Sequence, residues 1–344
     1  MLSRARTSIR CCATWKNRHE SPARSSPGMK GFSHHESALD WIRSGASQFR
    51  QAGLCIGHHA DNPIDEARTL VLHALGLPEQ TTAELGQARL LASEHQKVAA
   101  LLDRRILERA PAAYLIGHAS FAGRRFLCDA RALVPRSPMA ELIERGFTPW
   151  FARRAPERVL DLCCGGRSIG IATALQLPHS RVDLLDLSPD ALQLARENVA
   201  LHGVQPRVSL LQSDLFAALA DQRYDLILSN PPYLTRNQYR ALPKEYSHEP
   251  EMALVSGQDG LDHPLRILAG AAAHLAANGW LVLEVGEAQR ALRRLLPALD
   301  IAWIQFTVMA FLMAIFSVSL WRYKRRNGDV SHAHPAEIHL MQHL

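Results

Sequence analysis

The chain has 344 residues, 47% of them hydrophobic, and a formal net charge of +6. This is the composition of a soluble globular protein with enough apolar residue for a large core and more than one domain. The first 28 residues carry +5 and residues 307–344 carry +2, which leaves −1 on residues 29–306 and gives the middle no basic footprint for duplex DNA.

In chain order, residues 1–35 open with "MLSRARTSIRCCATWKNRHESPARSSPG", rich in Arg and Ser and poor in acids. That suits a transit peptide, a disordered tail, or spurious sequence upstream of a start at Met29, and the last two readings are preferred. Residues 36–119 read as a small all-α domain. "SALDWIRSGASQFRQAG" has apolar residues at helical spacing, "NPIDEARTLVLHALGLP" opens on a helix-start signal, and "ASEHQKVAALLDRRILERA" is a third amphipathic stretch. Residues 120–137, containing "FAGRRFLCDARALVPR", predict a β-hairpin linker. From Pro156 the runs "RVLDL", "RVDLLDL", "RVSLLQSDL", "YDLILSN" and "WLVLEVG" alternate with helical stretches, which predicts an α/β domain over 138–306 built on a parallel sheet. The six cysteines, Cys11, Cys12, Cys55, Cys128, Cys163 and Cys164, have no zinc-ligand or redox spacing, so they read as reduced thiols of a cytoplasmic protein with no metal site.

In such sheets ligands bind beyond the carboxyl ends of the strands. Asp161 ends the first strand and leads into the tight turn "CCGGRSIGIATAL". Asp186 ends the second, 21 residues after Gly165, where a carboxylate meets ribose hydroxyls. Asp214 follows the third and Asn230-Pro231-Pro232-Tyr233 the fourth. One Asp after a strand is as readily a helix cap, and Ser188 and Asp190 suit that role. Three such sites on successive strands, followed by Asn-Pro-Pro-Tyr, point to one ligand site. A dinucleotide dehydrogenase would share the first two features and have no use for the last.

These motifs make residues 138–300 resemble a class I, Rossmann-like S-adenosylmethionine-dependent methyltransferase with a seven-strand-type sheet. Asn-Pro-Pro-Tyr narrows the resemblance to enzymes acting on planar amino groups. The stretch "HEPEMALVSGQDGLD" and the helical module resemble the protein N(5)-glutamine methyltransferases. "LVPRSPMAELIERGF" is closer to the branch acting on ribosomal protein L-three than to the release-factor enzymes, which usually have "PRPDTE" there. The resemblance implies S-adenosylmethionine as cofactor, with Asp161, Cys163 and Gly165 lining its methionine part, Asp186 on the ribose, and Asp214 and Leu215 at the adenine. It places Asn230 between cofactor and substrate. Asn230 and Pro231 supply acceptors for the two amide N–H bonds, Pro232 stiffens the turn, and Tyr233 covers the amide plane. The implied partner is protein L-three of the large ribosomal subunit, free or in early assembly, with no nucleic acid required. The rivals are a release-factor glutamine methyltransferase, a DNA adenine or cytosine amino-methyltransferase acting on a flipped base, and a degenerate non-catalytic homologue.

Two departures matter. The family turn is close to "DLCTGSGCIGI" where this chain has "DLCCGGRSIGI", so Arg167 stands in place of a glycine and is expected to crowd the turn. "IAWIQF" fits a late strand, but residues 307–344 form an atypical apolar and basic tail. Residues 301–321 are long and apolar enough for a membrane span, while a reading-frame change explains the lost pattern more simply and leaves the last strand missing or substituted.

Overall fold

The computed structural model describes residues 36–57, 60, 62–297, 301–305 and 317–322, so the expectations for 1–35 and most of those for 307–344 lie outside the described residues. The described chain forms two units. The first comprises residues 36–117 together with Pro243–His248, and the second comprises His118–Leu242 and the described residues from Glu249 on.

The first unit is helical, as its patterns predict. Ser37 caps helix Ala38–Gln51 in a capping box with Asp40. Asn62 caps helix Pro63–Ala74 by accepting from Ile64 N–H at 2.9 Å and Asp65 N–H at 3.0 Å, with Pro63 in the first turn. Helix Ala92–Glu108 packs on both. Trp41, Phe49, Leu70, Val98 and Leu102 form the shared core. Inside it lies a buried charge group: Arg105 donates to Glu66 at 2.7 Å, and Glu245 from the segment 243–248 is paired with Arg109 at 2.7 Å.

The second unit opens with a hairpin, β1 (His118–Phe121) and β2 (Arg124–Leu127), its strands antiparallel around Ala122-Gly123. Five strands then run parallel: β3 (Arg158–Leu162), β4 (Arg181–Asp186), β5 (Val208–Gln212), β6 (Tyr224–Ser229) and β7 (Leu275–Glu284), in the order β5-β4-β3-β6-β7. Period-2 alternation sends successive residues to opposite faces. Val159 joins the core with Met139, Phe147 and Ile171, while Leu160 and Leu162 join the core with Ile227, Leu268 and Leu281. The strand order reverses between β3 and β6, which opens a crevice at their carboxyl ends.

At the far edge the tail itself supplies a strand. β8 (Ile301–Gln305) does not pair with β7. β9 (Ser317–Arg322), drawn from the atypical tail, lies antiparallel between them. The described parts of 301–321 are thus paired as strands, so a helical span through them does not form. Among the described residues no helix is long and apolar enough to cross a membrane.

Candidate active site

All the residues singled out at strand ends fall in the second unit. Asp161 is the fourth residue of β3 and fully buried. Its Oδ2 accepts the Gly170 N–H at 2.8 Å, while Oδ1 is buried without a hydrogen-bond partner. Burial raises its carboxyl to about 7, against the Gly170 hydrogen bond and the nearby Arg167 guanidinium. A Cβ on Gly170 would stand 2.1 Å from Leu184 Cδ2, so only glycine lets the following helix, Ser168–Gln176, come this close to the sheet.

The turn between them is sharply wound. Cys163, Gly165 and Arg167 all have positive φ, at 55°, 48° and 71°. The Gly165 N–H donates to Asp186 Oδ2 at 2.7 Å, and Ser188 N–H donates to Asp186 Oδ1 at 2.8 Å. The spacing of 21 residues therefore brings the glycine turn and the second carboxylate together. Ser188 caps helix Pro189–Leu201 through the Ala191 N–H. Burial pushes the Cys163 and Cys164 thiols well up, which makes them poor nucleophiles.

Arg167 does not crowd the mouth of the turn as expected. Its side chain is fully buried, with Nη1 donating to the Leu184 carbonyl at 2.8 Å. The backbone adopts the left-handed conformation that a glycine would take freely, and Arg167 occupies the N-cap position of the helix.

Asp214 is half-exposed and paired with Arg266 at 2.8 Å. Leu215 has φ of 50° and is buried, its carbonyl accepting from Ser213 Oγ at 2.7 Å. Asn230 follows the end of β6 and is half-buried, with Pro231 and Pro232 buried behind it. Leu234 exchanges backbone hydrogen bonds of 2.9 Å with Leu254 and Ser256, which ties this turn to the "ALVSG" stretch.

Four contributors escaped the sequence reading. Glu284 ends β7 fully buried and accepts from Tyr233 Oη at 3.1 Å and from Ser137 Oγ at 2.7 Å. Gly260 and Gly286 leave Tyr233 its space: a Cβ would meet the Tyr233 carbonyl at 2.4 Å in the first case and the ring carbon Cε2 at 2.7 Å in the second. The sequence signal for Glu284 is a lone acid closing the apolar run "WLVLEVG".

The donor set fits S-adenosylmethionine. Asp161 keeps a buried carboxylate oxygen unpartnered beside the glycine turn, as a cationic amino group would require. Asp186, half-buried, follows at the next strand end.

Comparison with known proteins agrees. The family described as "Methyltransferase small domain" matches residues 147–257, and "PrmC N-terminal domain" matches residues 40–117. A ribosomal protein uL3 glutamine methyltransferase of Xanthomonas campestris pv. campestris is 54% identical over 281 residues, covering 81% of this chain and 90% of that one. Proteins of the same name from Xylella fastidiosa (strain Temecula1) and Bordetella pertussis are 52% and 46% identical, covering 81% and 77% of this chain and 89% of each relative.

Proposed function

The chain belongs to the family of ribosomal protein uL3 glutamine methyltransferases, and from that premise we propose that it methylates the side-chain amide nitrogen of a glutamine in uL3, the L-three protein of the large ribosomal subunit. S-adenosylmethionine, when bound, supplies the methyl group on a sulfonium sulfur. Asp161, Cys163 and Gly165 hold its methionine part, Asp186 the ribose, and Asp214 and Leu215 the adenine.

The rest of the work is positioning. An amide nitrogen is a weak nucleophile because its lone pair is shared with the carbonyl. The Asn230 side-chain oxygen and the Pro231 carbonyl accept its two N–H bonds and turn the lone pair toward the methyl group. Pro231 and Pro232 fix the backbone, so these acceptors stand ready before substrate arrives. Tyr233 covers the amide plane. Once methylated, the nitrogen carries a positive charge and is acidic, so its proton passes to water without a strong general base.

The observation that carries this reading is Asn-Pro-Pro-Tyr held at the end of β6, beside the point where the strand order reverses. The helical unit selects a protein acceptor, and the acceptor is free uL3 or an early assembly intermediate in the cytoplasm, before ribosomal RNA buries the loop. No nucleic acid is required. The test is labelled cofactor with free uL3, mature ribosomes, a release factor and duplex DNA. Label in free uL3 is expected. Label in the release factor alone would overturn the acceptor, label in DNA alone the reaction class, and label in mature ribosomes the timing.

A further inference from the structure

We infer that Glu284 is a positioning residue for methyl transfer: its buried carboxylate, clasped by the Ser137 and Tyr233 hydroxyls, sets the ring of Tyr233 over the acceptor amide. The inference rests on the reading of Tyr233 given above and extends it to residues outside the Asn-Pro-Pro-Tyr turn.

Glu284 sits where it must to act on that turn. Ser229, the residue before Asn230, pairs with Leu283 across β6 and β7, so Glu284 lies at the same level of the sheet as the start of the turn. Its side chain is fully buried, and no cation lies within ion-pair distance among the described residues. Arg136, whose charge reaches it, spends both Nη atoms on Glu249 at 2.5 and 2.7 Å. A desolvated carboxylate held only by hydroxyls is a poor way to fill a core, where an apolar side chain of similar volume would pack more stably. What the carboxylate adds is direction. Its two oxygens accept from two hydroxyls, one on each side, at 2.7 and 3.1 Å.

Tyr233 is thereby fixed at three points. Gly260 lets its backbone carbonyl approach closely, Gly286 lets the ring edge in, and Glu284 takes the hydroxyl. Both glycines have positive φ, at 80° and 48°, so neither place admits a side chain without strain. The ring is consequently set in orientation as well as position. Ser137 closes the chain of contacts: it donates to Glu284 and accepts the Met139 N–H at 3.2 Å, which locks its own rotamer. Ser137 belongs to "LVPRSPMAEL", the stretch that resembles the uL3 branch, and a proline there would have no hydroxyl to give.

The experiment compares wild type with Glu284→Gln, Ser137→Ala, Tyr233→Phe and the double variant Glu284→Gln with Tyr233→Phe. Steady-state kinetics with uL3 are measured beside cofactor binding by calorimetry and melting temperature. Glu284→Gln keeps shape and removes the double acceptor, so kcat/KM for uL3 should fall at least tenfold while cofactor affinity stays within twofold. Ser137→Ala should give a smaller loss of the same kind, two- to fivefold, and it keeps the test usable if Glu284→Gln folds poorly. The double variant should be no worse than Tyr233→Phe alone, because Glu284 acts through that hydroxyl. Multiplying losses, kcat/KM within twofold of wild type, or a fall confined to cofactor affinity would each overturn the inference. A second readout needs no acceptor: with 3-fluorotyrosine incorporated, the fluorine resonance missing from Tyr233→Phe identifies residue 233. That resonance should shift or broaden in Glu284→Gln, and an unchanged line would also overturn the inference. If wild type fails to label uL3, the function proposed above fails, and the fluorine spectrum still decides the role of Glu284.

Discussion

Asn230 and Arg167 show how much a single residue's surroundings decide. Asn230 stands half-buried at a strand end with buried prolines behind it, and its proposed task is to accept one amide N–H. Asn230→Ala should lower kcat about 100-fold or more, as loss of one preorganised contact does, while calorimetry finds cofactor binding within threefold. Activity near wild type would remove the residue from the mechanism. At Arg167 the structure reverses the expectation of crowding, because the guanidinium is buried against the Leu184 carbonyl and beside Asp161. Arg167→Gly loses that packing and hydrogen bond but relieves a left-handed backbone and two buried, unpartnered guanidinium nitrogens, so stability should change by no more than about 1 kcal/mol, and cofactor binding should not tighten. Glu284 adds a pH effect of definite sign. Burial raises its carboxyl from the ordinary 4.5 to about 7, so the folded state holds the proton more tightly than the unfolded chain. The stability this gives is complete below about 4.5 and lost as pH rises through about 7. Glu284→Gln has no such proton, so between pH 5 and 8 wild type should lose on the order of 2–3 kcal/mol relative to it. Urea unfolding at the two pH values measures the difference, and parallel changes would refute the assignment.

Among the elements, β9 carries the clearest consequence. It is the only described strand lying between β7 and β8, so a chain ending at Phe306 would leave β8 without the neighbour it pairs with and expose the edge of β7. Such a chain should melt lower than the full chain and aggregate. Equal melting of the two would show that β9 is dispensable. The same strand is the one whose own residues do not announce it. The parallel strands are legible because short apolar runs alternate with helical stretches, and a polar residue marks the carboxyl end of three of them: Asp161, Asp186 and Asn230. In "TVMAFLMAIFSVSLWRYKRR" the apolar run has no such punctuation, and periodicity cannot distinguish a buried strand from a helix there. Glu284 was hidden for a different reason: its partners Ser137 and Tyr233 lie 147 and 51 residues away in the chain, a relation only the folded sheet creates. Asp186 was legible because its partner in the glycine turn sits at a spacing fixed by one strand-helix-strand unit.

At the scale of the whole molecule, the path of the chain links the two units more than once. It leaves the helical unit at Gly117, returns to it for Pro243–His248, and re-enters the second unit at Glu249. The returning segment follows the Asn-Pro-Pro-Tyr turn by ten residues in the chain and belongs to the first unit. It is held by a carboxylate. Glu245 is fully buried in the first unit, paired with Arg109 at 2.7 Å and accepting the Cys55 N–H at 3.0 Å, with Arg105 at 3.8 Å. On return, Glu249 is buried in the second unit, where it accepts from Arg136 and from the Val134 N–H at 3.0 Å. Removing one member of a buried charge group strands the others and typically costs about 3–5 kcal/mol. Glu245→Ala should therefore destabilise the protein by an amount of that order. Because Asp161, Gly165, Asp186 and Asp214 all lie in the second unit, away from this segment in the chain, cofactor affinity should stay within twofold. An unchanged melting temperature, or a fall in cofactor affinity beyond twofold, would refute this.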